Sequence, residues 1–444
     1  MTNSEKNSIN GGITKKYTLL FFLKGVKRVT HNIFLIISSA IYIILLFIGW
    51  KYRLNIFPIP NLFTAMFSDI YSFAYVVLTT AVTFIILVLL GLPKRFFIIK
   101  KNIRLIGLVN SADLSPILVN SYIDDENKRV MILEFESLGI PLSVWKDNQE
   151  KIGCALKYNV VSIEQGGNIS LIIMRVIPSK RPWPKKLVWK ENYLSNASFE
   201  LVFGEGLAGV VTINLAIIPH LIIGGITGSG KSILLKLLLL QCILKDATVY
   251  IADFKGGVDF SRQWDSICTM VFDENSLLVI LNNIVEQLEE RKILLRDAEC
   301  PNIDEYNKKT GANLKRIIFA CDEVAEITNF GLKKEAKEAA SKIEGFLSVI
   351  ARQGRAMGIH LILATQRPDA SVLSGQIKSN CDCICGRASN TLSIILLDNA
   401  DANDLIPKNA QGRFLMRDGT VFQAYWFDED KYFEEHKEVV KYVQ

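Results

Sequence analysis

Two long apolar stretches dominate the first hundred residues. No charged residue occurs from 29 to 50, and none from 70 to 92. A helix over the first stretch reaches about 33 Å at about 1.5 Å per residue, enough to cross a hydrocarbon core. Both stretches are expected as transmembrane helices with charged flanks. The first is too long for a signal-peptide core and has no small-residue cleavage site, so it is expected to remain as an anchor. The preceding segment, 1–28, carries Lys15, Lys16, Lys24, Lys27 and Arg28 against the single acid Glu5, and its head is expected to be disordered. Lys94, Arg95, Lys100, Lys101 and Arg104 crowd the far side of the second stretch, whereas the loop between the stretches has only Lys51 and Arg53. The positive-inside rule then predicts a multi-pass cell-membrane protein with both termini cytoplasmic and the 51–69 loop outside.

The pattern changes after residue 93. Short apolar runs at 129–135, 155–161 and 171–177 are separated by turns and predict β-strands of a small β-rich connector, 93–200. The Pro-rich, basic stretch 178–186 reads equally as a linker or as a basic contact strip. From 201 to 444, strand patterns at 220–224, 247–252, 316–321, 360–364 and 381–385 alternate with amphipathic helical patterns such as 277–296 and 332–353. Such alternation predicts an α/β domain with a mostly parallel sheet covered on both faces, binding its ligand at the carboxyl ends of the strands.

The chemistry begins at residues 219–232, PHLIIGGITGSGKS. An apolar strand ends in Gly225, Ile226, Thr227, Gly228, Ser229 and Gly230, and a leucine-rich helix opens at Lys231 and Ser232. The pattern is that of a phosphate-binding loop, in which backbone N–H groups converge on phosphate oxygens beside a helix N-terminus. Lys231 is placed to reach the β- and γ-phosphates of ATP, and the Ser232 hydroxyl to ligate Mg²⁺. A second apolar strand ends in Asp322 and Glu323. Asp322 is expected to hold Mg²⁺, through water, and Glu323 to polarise an attacking water. A third strand ends in Thr365 and Gln366, which either contact the γ-phosphate or merely begin a loop.

Composition changes little. The chain has 444 residues, half of them hydrophobic, and a net charge of +6 that permits a polyanionic partner without demonstrating one. Its eight cysteines show no repeating metal-ligand pattern. Cys381, Cys383 and Cys385 alternate along one predicted strand, and are expected as buried thiols on a single face.

Three strings together resemble the FtsK/SpoIIIE family of DNA-pumping ATPases: residues 219–232, the pair Asp322 and Glu323, and Gln353-Gly-Arg355-Ala-Met-Gly358-Ile-His360 running on to Thr365-Gln366-Arg367-Pro368. Glu289-Glu-Arg291, Asp304-Glu-Tyr-Asn307, and the Asp253 and Lys255 pair are similar to further family segments, so the likeness covers about 200–425. The resemblance implies a RecA-like P-loop NTPase motor that forms a homo-hexameric ring around DNA, hydrolyses ATP with Mg²⁺ between subunits, and uses Gln366 as a sensor. It also implies an arginine finger from the neighbouring subunit. Ile394 stands where chromosome-segregating members commonly have arginine, which leaves Arg387, or Arg413, for that role. Two spans (29–92) and a compact motor look most like the TcpA-type coupling proteins of Gram-positive conjugative elements, which implies relaxase and secretion-channel partners. Chromosome or plasmid segregation, and a protein-secretion ATPase, are the alternatives.

Overall fold

The computed structural model describes residues 3–52, 64–179, 183, 186–328, 334–366 and 374–436. Most of the 51–69 loop, the core of the 178–186 linker, the start of the 332–353 pattern, and Arg367 with Pro368 lie outside the described residues. The chain divides into two compact units, Met1–Arg181 and Pro182–Gln444. Residues 186–200, grouped with the connector from sequence, fold with the second unit, because Leu187–Val188 adds a strand to its sheet.

In the first unit, three helices among the described residues precede the connector: α1 (Asn3–His31), α2 (Ile33–Lys51) and α3 (Thr64–Gly91). The disorder expected for the N-terminal head is corrected, since α1 is continuous from Asn3 and buries Tyr17 and Phe21 in the connector core. Asn32 ends α1 and caps α2, its side chain accepting from the N–H groups of Phe34 and Leu35. Helices Ile33–Lys51 and Ser68–Gly91 are long and apolar enough to cross a membrane, and neither is buried within the protein. Backbones of α1 and α3 meet closely at two glycines. A Cβ on Gly25 would lie 1.8 Å from the Leu87 carbonyl oxygen, and one on Gly91 1.7 Å from that of Phe21. Arg28 donates to the carbonyls of Leu90 and Leu92 at 2.6 and 2.9 Å, satisfying the free end of α3.

The connector follows as α4 (Phe96–Leu105), β1 (Ile117–Ile123), β2 (Met131–Glu136), α5 (Leu142–Asp147), α6 (Gln149–Leu156), β3 (Tyr158–Gln165) and β4 (Leu171–Pro178). Its antiparallel sheet has the order β1-β2-β4-β3. Leu133, Phe135 and Met174 pack with Trp145, Ile152, and Ile99 and Ile103 of α4. The first two residues of the predicted 155–161 strand, Ala155 and Leu156, are instead the end of α6, because Ile152 and Leu156 lie four apart and face the core together.

The second unit carries β5 (Leu187–Val188), β6 (Glu200–Gly206), β7 (Val210–Asn214), β8 (Leu221–Gly224), α7 (Lys231–Leu244), β9 (Thr248–Ala252), β10 (Thr269–Val271), α8 (Glu274–Asp297), α9 (Ile303–Thr310), β11 (Ile317–Cys321), α10 (Val324–Thr328), α11 (Lys334–Met357), β12 (Ile359–Thr365), α12 (Gly375–Lys378), β13 (Asp382–Cys385), α13 (Asn390–Leu397), α14 (Asp401–Leu405), β14 (Arg413–Met416), β15 (Val421–Trp426) and α15 (Glu429–Glu435). They form an 11-stranded sheet ordered β10-β9-β11-β12-β8-β13-β14-β15-β6-β7, with β5 beside β15. Strands from β10 to β13 are parallel, whereas β13 to β7 pair antiparallel. Strands β8, β11 and β12 are buried throughout, as a sheet covered on both faces requires. Cys381, Cys383 and Cys385 pack into one hydrophobic cluster under that sheet, and burial pushes the Cys383 and Cys385 thiols up to about 11 and about 12.

At the amino ends of these strands lies a polar cluster built from the family-like strings. His360 hydrogen-bonds the Pro219 carbonyl through Nδ1 at 2.9 Å and Arg316 through Nε2 at 2.9 Å. Arg316 pairs with Asp304 at 2.5 Å, and Arg291 donates to the carbonyls of Met357 and Lys315. His220 accepts from the Leu361 N–H. Gly358 turns at φ 66°, where a Cβ would strike Ile303. These residues fasten helices to the strands at the edge opposite the phosphate loop.

His220 and His360 are fully buried, and burial lowers His220 to about 4 and His360 well below its ordinary value. The unfolded chain takes up these protons near pH 6.5 while the folded chain does not. Stability therefore falls as pH drops from about 6.5 toward about 4, by about 1.4 kcal/mol per pH unit for each histidine. Urea midpoints of the detergent-solubilised chain, taken from about pH 7.5 to about pH 5, are expected to decline. The decline should flatten in His220→Asn; an unchanged slope in that variant would contradict a neutral buried His220.

Candidate nucleotide site

Parallel register decides where the site residues meet. Gly224 at the end of β8 lies level with Thr365 of β12 and with Cys385 of β13, while Cys321 of β11 lies level with Leu363. The carboxyl ends of four strands therefore deliver the phosphate loop, Gln366, Asp322 with Glu323, and Arg387 to one rim.

The loop itself depends on glycine. Gly228 and Gly230 adopt φ of 76° and 100°, and a Cβ on Gly230 would sit 3.1 Å from the Gly412 Cα. The Ser229 carbonyl accepts from the Gly412 N–H at 2.8 Å, so the 407–412 segment braces the loop from behind. The Arg387 carbonyl accepts from the Ile226 N–H at 2.9 Å, bracing it from the side.

Asp322 is the hub. Its Oδ1 accepts from the Ser232 hydroxyl at 2.9 Å and lies 3.6 Å from the Lys231 ammonium. Its Oδ2 accepts from Lys255 at 3.1 Å. Lys231 also donates to the Asp322 carbonyl at 2.5 Å. Burial would raise this carboxyl, yet Lys231, Lys255 and Ser232 together hold it below the usual carboxylate range. Glu323, one residue on, turns the other way. Its two oxygens accept from the Thr365 hydroxyl at 2.8 Å and from the Gln366 N–H at 2.9 Å. Gln366 in turn accepts from the Thr227 hydroxyl through Oε1 at 2.8 Å. Sequence left open whether Gln366 merely begins a loop; here it links the phosphate loop to the acidic pair.

Arg387, the arginine that sequence offered as a finger, lies at the flank of its own chain's phosphate loop. Its guanidinium donates to the carbonyls of Lys408 and of Thr227, the latter at 3.3 Å, both in its own chain. The physical reason is that β13 lies beside β8, which delivers residue 387 to the flank of its own loop. Arg413 is buried against Trp183, with its guanidinium 4.6 Å from the ring centre. Ile394, by contrast, is half exposed on α13.

Two cavities open on this rim. One of about 320 Å³ follows the phosphate loop and takes in Lys255, Asp259 and Gln366. The other, of about 700 Å³, is lined by Trp183, Pro407, Arg413, Gln423 and Trp426. Gly230, Ile233 and Gln411 line both. Sequence reasoning missed the second cavity because its wall comes from β5, β14, β15 and the 407–412 segment and carries no motif. The donor set suits a hard divalent cation: a hydroxyl and a carboxylate already 2.9 Å apart, with only oxygen ligands on offer. A loop of converging N–H groups at the start of a 14-residue helix suits phosphate.

A phosphate loop joined to an acidic pair across a parallel sheet, with one strand inserted between them, defines a RecA-like P-loop nucleotide-binding fold. The chain belongs to the FtsK/SpoIIIE family, which its residues 188–370 match. DNA translocase FtsK of Campylobacter jejuni is 32% identical over 192 residues, covering 40% of this chain and 19% of that protein. DNA translocase SftA of Bacillus subtilis is 30% identical over 181 residues, covering 38% of this chain and 18% of that protein. The match thus spans about a fifth of the length of the curated relatives. Among solved structures, the pCW3 conjugation coupling protein TcpA, in its monomer form with ATPγS, is similar at 35% identity and a TM-score of 0.58. That similarity covers 79% of this chain and 100% of TcpA.

Gly230→Ala is expected to cost about 1–3 kcal/mol of local strain, because it adds a Cβ at positive φ against the Gly412 backbone. Thermal unfolding with and without ATPγS checks this. The variant should lose the nucleotide-induced rise in Tm even where its own Tm falls only modestly.

Proposed function

We propose that the chain is a membrane-anchored, ATP-driven DNA translocase that serves as a coupling protein, delivering DNA to a conjugative secretion channel. The observation that carries this reading is the extent of the likeness to TcpA. It covers 79% of the chain, more than the second unit alone makes up, whereas DNA translocase FtsK of Campylobacter jejuni matches 40% of the chain and the family match, 188–370, falls within the second unit. The two apolar helices supply the anchor, with both termini cytoplasmic by the charge of their flanks.

Within the site, Lys231 lies against Asp322, where its ammonium can follow charge onto the β- and γ-phosphates of ATP. Ser232 and Asp322 would hold Mg²⁺, which when bound neutralises phosphate charge. Glu323 is aimed by Thr365 and the Gln366 N–H, leaving lone pairs to orient an attacking water and accept its proton. Gln366 and Thr227, bonded to each other, report the presence of the γ-phosphate to the loop. The second cavity, which shares Gly230 with the first in its lining, takes the nucleoside. As a hexamer, the chain would draw DNA by contacts to its phosphates, so binding should weaken steeply with salt and depend little on sequence. Arg387 then acts on its own subunit's loop, and relaxase and channel proteins are the partners such a role requires.

The full chain in nanodiscs is expected to hydrolyse ATP faster when DNA is added, and Lys231→Ala to abolish turnover while remaining folded and membrane-bound. Lack of stimulation by single- and double-stranded DNA alike would count against translocation. In cells, Lys231→Ala should abolish plasmid transfer. Normal transfer alongside a partition defect would instead favour a role in segregation.

A further inference from the structure

Lys255 takes no part in the steps above, although it stands among the groups that would hold the metal. It comes three residues after β9, and Gly256 and Gly257, at φ 75° and 79°, turn the chain immediately behind it. Its ammonium donates to Asp322 Oδ2 at 3.1 Å and to Asp259 Oδ2 at 2.7 Å. Ser232 and Lys231 use the other oxygen of the same carboxylate. Asp253 and Glu326 add negative charge around it. Asp259, four residues along the same turn, keeps the ammonium from swinging out to solvent.

A divalent ion held through Ser232 and Asp322 has to share Asp322 with this ammonium. Like charges so close repel, and a carboxylate already committed to one cation offers less to a second. We propose that Lys255 is a resident counter-ion that weakens the metal at the triphosphate site and thereby speeds the departure of metal and nucleoside diphosphate. It acts through Asp322 and is a positioning residue. The inference rests on the nucleotide reading of the site. A lysine that only pinned its turn would have the opposite signature, since removing it would loosen the site and weaken every ligand.

The direction of the effect is therefore the test. Mn²⁺ is titrated into the full chain in detergent with saturating ADP, and free Mn²⁺ is followed by its electron paramagnetic resonance signal. Lys255→Met is expected to bind Mn²⁺ about tenfold tighter or more, the effect of deleting a unit charge a few ångströms from a divalent ion. Lys255→Arg should stay close to wild type, and release of a fluorescent ADP analogue from Lys255→Met should slow in parallel. Lys255→Gln carries the same expectation if the methionine variant fails to fold. Unchanged or weaker Mn²⁺ binding in a variant that still binds ADP overturns the proposal. Failure of the wild type itself to bind ADP overturns the nucleotide reading, and this inference with it.

Discussion

One buried carboxylate, Asp322, takes a hydroxyl and two ammonium groups, and the rest of the motor unit is arranged so that it can. A charged group at that depth is tolerated only because its partners are brought to it from separate elements. Ser232 and Lys231 open α7, Lys255 follows β9, and Asp322 directly follows β11. The order β9-β11-β12-β8 places these ends along one rim, and buried apolar strands fix the register. A one-residue slip between β11 and β12 would part Glu323 from the Thr365 hydroxyl and turn that strand's apolar set around.

Much of this is written in local patterns. The loop, the acidic pair and the strands that carry them are each a contiguous string, so periodicity and glycine placement suffice to find them. Gln366 required more, because its link to Thr227 spans 139 positions and exists only through strand order. Arg387 was legible as a nearby arginine but not as one bound to its own loop, since the pairing of β13 with β8 is not a local feature. The antiparallel half of the sheet, and the cavity it lines, were not legible at all. The pattern for α1 misled for a different reason. Its composition is polar and basic, and its order comes from tertiary burial of Tyr17 and Phe21 rather than from helix propensity.

The strings that gave the family resemblance do two physical jobs. Residues 225–232, 322–323 and 365–366 meet at the carboxyl rim and are chemical. Pro219, Arg291, Asp304, Gly358 and His360 meet at the opposite edge and are mechanical, tying α8, α9 and α11 to the starts of the strands. A long match to a motor family is therefore partly a match to its frame. The residues that specify what the motor drives have to be sought elsewhere, in the first unit and in surfaces that carry no motif.

The close approach of α1 to α3 has a practical consequence. Because Tyr17 and Phe21 complete the connector core and Gly25 abuts the end of α3, the residues before the first span are structural parts of the domain after the second. A chain trimmed to begin at residue 93, the obvious way to obtain a soluble fragment, would leave an open apolar slot where those two rings belong. Joining 1–31 directly to that fragment would refill it without any membrane helix.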